Sequence, residues 1–273
     1  MKALQADGLS QRQACALTGT ARPTVQYKPR KKPADELVRD RLRAIAQERP
    51  RFGWRRLRIM LKREGIVLNH KRLRRLYRTE GLQVRPRKKR RVRLIRGNTA
   101  PPPTTINEEW GLDFMHDYLL SRRKVRLLTI EDRLNREGLA LEAGFSITSR
   151  YVIRILDDIA AVRGYPKRLR VDNGPENIAL AMLQWSVDHN VVLHFIDPGK
   201  PVQNAWIESF NGRVRDEFLN VHAFWTLDQI RDGADLWLVD YNEVRPHSSL
   251  GYLTPKEFVE TLPTTPTPQL SVA

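Results

Sequence analysis

The basic residues of this chain crowd into one end, and that imbalance limits what it can fold into. Residues 1–100 hold 30 Lys and Arg against 7 Asp and Glu, a net of +23, while residues 101–273 hold 18 against 24, a net of −6. A single domain would mix these charges, so the chain reads as a self-repelling basic part joined to a mildly acidic part able to keep carboxylates for metal ions. The formal charge of +17 exceeds what solubility requires and points to a polyanionic partner, nucleic acid above all. Hydrophobic residues make up 41%, enough for at least one real core. No long apolar run, signal peptide or lipidation motif favours a membrane. Cys15 stands alone, which excludes an intrachain disulfide and any multi-cysteine zinc finger and fits a reducing, cytoplasmic setting.

Residues 8–27 read as two short helices about a turn, with Ser10 as cap and Gly19 supplying the turn. That is helix-turn-helix spacing, with Arg22 and Thr24 near the start of the helix that would enter a major groove; an ordinary helical hairpin has the same pattern. Asp35–Glu48 follows as an amphipathic helix with Leu37, Leu42 and Ile45 on one face. Trp54–Glu64 and His70–Glu80, the latter capped by Asn69, complete a helical module with Arg-rich outer faces. Arg55, Arg56, Arg58, Lys62, Arg63, Lys71, Arg72, Arg74 and Arg75 have few acids near them in sequence, so DNA phosphates are their expected partners. Arg85–Arg96, with Lys88, Lys89 and Arg90 at its centre, reads as a phosphate-tracking linker, although a nuclear localisation signal has the same composition. The expected organisation is a helix-turn-helix segment at 1–33, a basic helical module at 34–96, a Pro-rich linker at 97–107, an α/β domain at 108–262 and a disordered tail at 263–273.

The texture changes at Trp110. Strands are expected at Trp110–Leu120, Lys124–Glu131, Gly138–Phe145, Arg168–Asp172 and Val191–Ile196, and helices at Thr148–Arg163, Glu176–Asn190, Gln203–Asn220 and Leu227–Asn242, giving a mixed sheet flanked by helices. Three carboxylates sit where chemistry is plausible. Asp113 lies among apolar neighbours within a strand, where a charge is costly without a task. Asp172 ends a strand, where ligands of open α/β sheets gather. Glu208 shares a helix face with Asn204, Asn211 and Arg215, at −4, +3 and +7. Oxygen ligands of this kind suit Mg²⁺ or Mn²⁺. Asp117, Glu131, Asp132 and Glu176 are acids nearby without such placement, and His116, His194 and His247 lack zinc-site spacing.

The set Trp110/Asp113/Phe114, Asp172-Asn173-Gly174-Pro175-Glu176, and Pro198-Gly199-Lys200-Pro201 running into Gln203–Gly212 resembles the DDE integrase core of retroviral integrases and insertion-sequence transposases. Asp172 and Glu208 are separated by 35 residues and Arg215 follows Glu208 by seven, as in that family. Tyr241–Pro255 and Phe52-Gly53-Trp54-Arg55-Arg56-Leu57 narrow the resemblance to the second-reading-frame product of the IS-three family. The resemblance implies an RNase H-like fold, and a bacterial transposase with Asp113, Asp172 and Glu208 as catalytic, metal-holding residues. It also implies two divalent ions, cleavage at element ends, and joining by 3′-hydroxyl attack. The partners it implies are double-stranded DNA, further copies of the chain and the first-frame product. Lys200 and Arg215 would contact DNA near the scissile phosphate. No P-loop motif is present, so no nucleotide cofactor is expected. A non-catalytic DNA-binding regulator, or a nuclease that only cuts, are the alternative readings.

Overall fold

The computed structural model describes residues 5–6, 8–26, 33–84, 102–196 and 204–262. Lys88, Lys89, Arg90, Lys200 and the tail from residue 263, with the expectations attached to them, lie outside the described residues. The first helices are α1 (Gln11–Thr18) and α2 (Arg22–Gln26). Ser10 and Gln13 cap α1 reciprocally, and Gly19 ends it at φ 62°, a left-handed turn that glycine adopts without strain.

Helices α3 (Pro33–Glu48), α4 (Trp54–Arg63) and α5 (His70–Thr79) enclose a core of their own. On α3 the buried residues are Val38, Leu42 and Ile45, a regular i, i+4, i+7 stripe. Leu37, expected on that face, is 76% exposed, because its spacing of five from Leu42 carries it off the stripe. The expected shortage of acids also needs correction. Asp35, 6% exposed, takes Arg72 and Arg75, while Arg56 and Arg63 pair with Glu217 and Glu257 from far along the chain. Sequence distance hid these partners. Arg55, Arg58, Lys62, Lys71 and Arg74 remain exposed and form no ion pair among the described residues.

The second half is a five-stranded sheet: β1 (Glu109–Tyr118), β2 (Lys124–Asp132), β3 (Gly138–Gly144), β4 (Arg168–Val171) and β5 (Val192–Phe195), in the order β3-β2-β1-β4-β5. The first three strands run antiparallel to one another, while β1, β4 and β5 are mutually parallel, so the RNase H-like arrangement is present. Helices α6 (Ser149–Arg163) and α7 (Leu180–Asp188) cover one face. The other is covered by α8 (Ala205–Glu217) and α9 (Leu227–Glu243). Helix α7 was expected to start at Glu176 but begins four residues later, at Leu180, because the Gly174–Asn177 turn occupies that stretch. A short helix α10 (Pro255–Glu260), capped by Thr254 and Glu257, closes the chain's described part. No helix among the described residues is long and apolar enough to cross a membrane.

The helical module rests on the sheet domain through ion pairs. Arg49 pairs with Asp240 on α9, Arg51 with Asp216 on α8, and Arg56 with Glu217, which also holds the buried Arg245. Arg63 donates to the Val244 carbonyl at 2.7 Å and pairs with Glu257.

Candidate active site

Period-2 alternation decides which side chains meet. On β1, Trp110 and Leu112 enter the core beneath α6 and α7, while Met115 enters the core beneath α8. Asp113 therefore faces α8, as does Thr129, its cross-strand partner on β2. On β4, Leu169 and Val171 go to the opposite core, so Asp172 turns towards α8 as well. The parallel register pairs Gly111 with Arg170; carried two places further, it sets Asp113 beside Asp172. Two adjacent aspartates thus arise from strand geometry alone, beneath the helix that carries Glu208.

Donors fix both aspartates. The Phe114 amide donates to Asp113 Oδ1 at 2.8 Å and Asn211 Nδ2 to Oδ2 at 2.7 Å. Asn211 is itself oriented by the buried Thr129, whose hydroxyl donates to Asn211 Oδ1 at 2.7 Å. The Gly174 amide and Asn177 Nδ2 donate to Asp172 Oδ1 at 3.0 and 2.8 Å. Asn177 is fully buried inside the turn. Neither Thr129 nor Asn177 was singled out in the sequence; each is a lone polar residue whose spacing carries no signal, although Asn177 does follow the Asp-Asn-Gly turn.

Burial pushes the Asp113 carboxyl up to about 6, and the negative charges of Asp172 and Glu208 add to the rise against the pull of its hydrogen bonds. Asp113, costly to ionise beside two other carboxylates, supplies with Asp172 and Glu208 the type of oxygen donor that a hard divalent cation takes. Among the described residues no three such groups stand close enough together to hold a metal ion. Glu208 is exposed on α8 and lines an open groove of about 430 Å³ with Phe114, Met115, His116, Asn211, Gly212 and Arg215.

The remaining site residues are placed differently from one another. Arg22 is exposed on α2, and Arg55 is exposed on α4 with its guanidinium 4.7 Å from the Trp54 ring. Arg56 is turned inward to Glu217. Asn204, expected to share the polar stripe of Glu208, is buried at the start of α8, and its Oδ1 has no partner. Arg215 reaches the groove but donates to the His116 carbonyl at 2.7 Å, which ties α8 to β1. Of the neighbouring acids, Glu176 pairs with Arg126, Asp132 accepts from the Asn107 and Leu134 amides, Asp117 accepts from the Tyr118 amide, and Glu131 is buried against Tyr241. His116 lies in the groove, whereas His247 is buried with Nε2 at 2.9 Å from the Tyr241 carbonyl. Gly111 is a residue the sequence did not flag: a Cβ there would stand 2.3 Å from the Trp206 ring, so only glycine lets α8 lie this close to β1.

Known proteins agree with this architecture. Residues 103–201 and 189–255 match two models described as integrase core domain, and residues 32–90 match a model described as HTH-like domain. The chain is 45% identical to the insertion element IS407 uncharacterized 31.7 kDa protein of Burkholderia multivorans, over 92% of this chain and 90% of that protein. It is 39% identical to the insertion element IS476 uncharacterized 39.2 kDa protein of Xanthomonas euvesicatoria, over 92% of this chain and 72% of that one. It is 27% identical to a protein of Escherichia coli K12 bearing the name transposase InsK for insertion sequence element IS150, over 81% of this chain and 82% of that protein. In structure it is similar to a chain of the simian T-cell lymphotropic virus intasome in complex with PP2A regulatory subunit B56 gamma. The TM-score is 0.55 at 15% identity, covering 79% of this chain and 75% of that chain. The chain therefore belongs to the insertion-element transposases, with an HTH-like region followed by an integrase core.

Proposed function

We propose that this transposase is a divalent-metal-dependent polynucleotidyl transferase that cuts DNA at the ends of its element and joins the freed 3′-hydroxyl to target DNA, as a second-frame product of the IS-three family. The observation that carries the reading is the strand register that makes Asp113 and Asp172 neighbours, with the charge of Glu208 on α8 reaching Asp113. Asp113, Asp172 and Glu208 would hold Mg²⁺ or Mn²⁺ by drawing together around the ion, since they are not preassembled as a metal site. Bound there, the cations would lower the cost of charge on the attacking and leaving oxygens of an in-line displacement.

The protein's own part is positioning. Asn211 and the Phe114 amide fix Asp113, Asn177 and the Gly174 amide fix Asp172, and the Arg215 tie keeps α8 against β1 so that Glu208 overhangs the strand ends. Exposed Arg55, Arg58 and Arg74 on the helical module, with Arg22 on α2, supply phosphate contacts that hold DNA in register. Lys88, Lys89, Arg90 and Lys200 add to the positive charge available to DNA. Synapsis of two element ends calls for several copies of the chain on DNA, with or without the first-frame product, in a bacterial cytoplasm.

The test is cleavage and strand joining on labelled DNA carrying the element's ends, with Mg²⁺, for wild type, Glu208→Gln and the exposed control Asp158→Asn, each also as the fusion with the first-frame product. Glu176→Gln is not a neutral control, since it would break the pair with Arg126 beside the groove. Wild type and Asp158→Asn should cut and join, while Glu208→Gln should bind the ends but do neither, a loss of at least about 100-fold. Equal activity of Glu208→Gln would overturn the assignment, and cutting without joining would make the chain a nuclease.

A further inference from the structure

The helix that carries Glu208 presents a second polar stripe. Glu208, Asn211, Gly212 and Arg215 face the groove beside Phe114, Met115 and His116, whereas Ala205, Ser209 and Arg213, at i, i+4 and i+8, face a separate recess about a third of a turn around the helix. This recess holds about 330 Å³ and is lined by Arg136, Trp206, Ser209, Arg213, His247 and Ser249, with Tyr241 at its base.

Its charge is unbalanced. Arg136 and Arg213 form no ion pair among the described residues, although both are partly buried. Arg136 occupies the β2–β3 turn with φ 59°, a left-handed backbone that a β-turn arginine adopts only at some cost. The acids around the recess offset the pair only in part: Glu131 feels both arginines but is bound to neither. Glu217 is already shared between Arg56 and Arg245, and burial holds Glu131 up at about 7, so that much of it stays uncharged at neutral pH. His247 is kept neutral by burial and by the surrounding arginines. Two guanidinia that form no ion pair among the described residues, two serine hydroxyls and an aromatic wall match the oxygens of a phosphodiester.

We propose that this recess is a phosphate subsite of the DNA strand being processed, accepting a backbone phosphate beside the one that Glu208 acts on. The inference rests on the transposase reading above. Arg213 lies five residues beyond Glu208, about 7.5 Å along the helix axis, which is close to one internucleotide step of an extended strand. DNA would therefore run from the groove across the shoulder of α8 to Ser209 and Arg213 in the recess.

The test measures binding rather than chemistry. Affinity of the full chain for a labelled element end is followed by fluorescence anisotropy from 50 to 300 mM salt without metal, for wild type, Arg213→Gln, Arg136→Gln, the double variant, Arg213→Lys and Glu208→Gln. Loss of one phosphate contact should reduce the slope of log Kobs against log[salt] by about 0.9 and weaken binding several-fold at low salt, with Arg213→Lys restoring most of the loss. Scanning single neutral methylphosphonate linkages along the strand should then find one position, within two nucleotides of the cut, whose effect is absent in the double variant. An unchanged slope in a folded double variant would overturn the subsite, as would methylphosphonate effects that persist at every position in it. Glu208→Gln, cutting nothing yet binding with the full salt slope, leaves the catalytic reading intact whichever way the arginines behave.

Discussion

Single residues show how the sheet is used twice. On the α8 side of the central strands, Gly111, Asp113, Glu131 and Thr129 form a patch of two facing pairs: Asp113 with Thr129, Gly111 with Glu131. One pair serves the candidate site. The other supports the recess, where Glu131 accepts from the Tyr241 hydroxyl at 3.2 Å while its Oε2 has no partner. Burial raises the Glu131 carboxyl from its ordinary 4.5 to about 7. A raised acid favours the protonated folded state. Its contribution to stability is thus complete below about pH 4.5 and is lost as pH rises through 7. Glu131→Gln keeps the acceptor for Tyr241 and removes the charge. We predict that at pH 8 it melts at higher temperature than wild type, being more stable by about 3 kcal/mol, and that at pH 4.5 the two melt alike. Thermal melts across that range check this, and parallel curves for the two proteins would contradict it. Asp113 was legible in the sequence because a charge among Trp, Leu and Phe is costly. Thr129 was not, since a buried hydroxyl in a strand resembles any β-branched residue.

At the scale of elements, α8 is the organising piece. One stripe, Ile207, Phe210 and Val214, sinks into the core, and the remaining circumference divides between the groove and the recess. Its approach to β1 depends on Gly111 under the Trp206 ring. Gly111→Ala should push the ring away and cost about 1–3 kcal/mol by overpacking, with a loss of strand joining larger than the loss of folded protein explains. Adding Trp206→Leu should recover stability. Differential scanning fluorimetry beside the joining assay decides, and an active, fully stable Gly111→Ala would mean that α8 does not need this contact. Most elements were readable from caps and periodicity: Ser10, Asn69 and Thr148 cap the helices expected to follow them. The failures have local causes. Side-chain bonds from Asn177 to Asp172 hold a turn where helix propensity suggested α7, and α10 went unread although Thr254-Pro255-Lys256-Glu257 carries a capping box. The choice of strand pairs, and hence the meeting of Asp113 with Asp172, could not be read from spacing; only the family resemblance supplied it.

For the whole molecule, charge sets the architecture. The basic module is not merely tethered: Arg49, Arg51, Arg56 and Arg63 spend part of the N-terminal excess on acids of the sheet domain, while other arginines and lysines stay exposed. These pairs are only half-buried, so salt should weaken them in part. We predict that Asp240→Asn combined with Glu257→Gln loosens the module at 0.5 M NaCl. Small-angle scattering should then show a larger radius of gyration, and calorimetry should resolve two transitions. An unchanged radius and one transition would mean that apolar contacts, such as Phe52 near the seam, hold the halves together.

The Arg56–Glu217–Arg245 network also has a mechanical side. Glu217 and Glu208 belong to one thirteen-residue helix, about 13.5 Å apart along its axis. A stiff rod gripped at one end turns small angles into displacement at the other: a tilt of about 5° at Glu217 moves Glu208 by about 1 Å, enough to matter in a reaction where misplacement on that scale can cost about 100-fold. On the proposed reading, the module that would meet DNA and the carboxylate that would act on it are parts of one lever, with the alignment of Glu208 adjustable from the far side of the molecule.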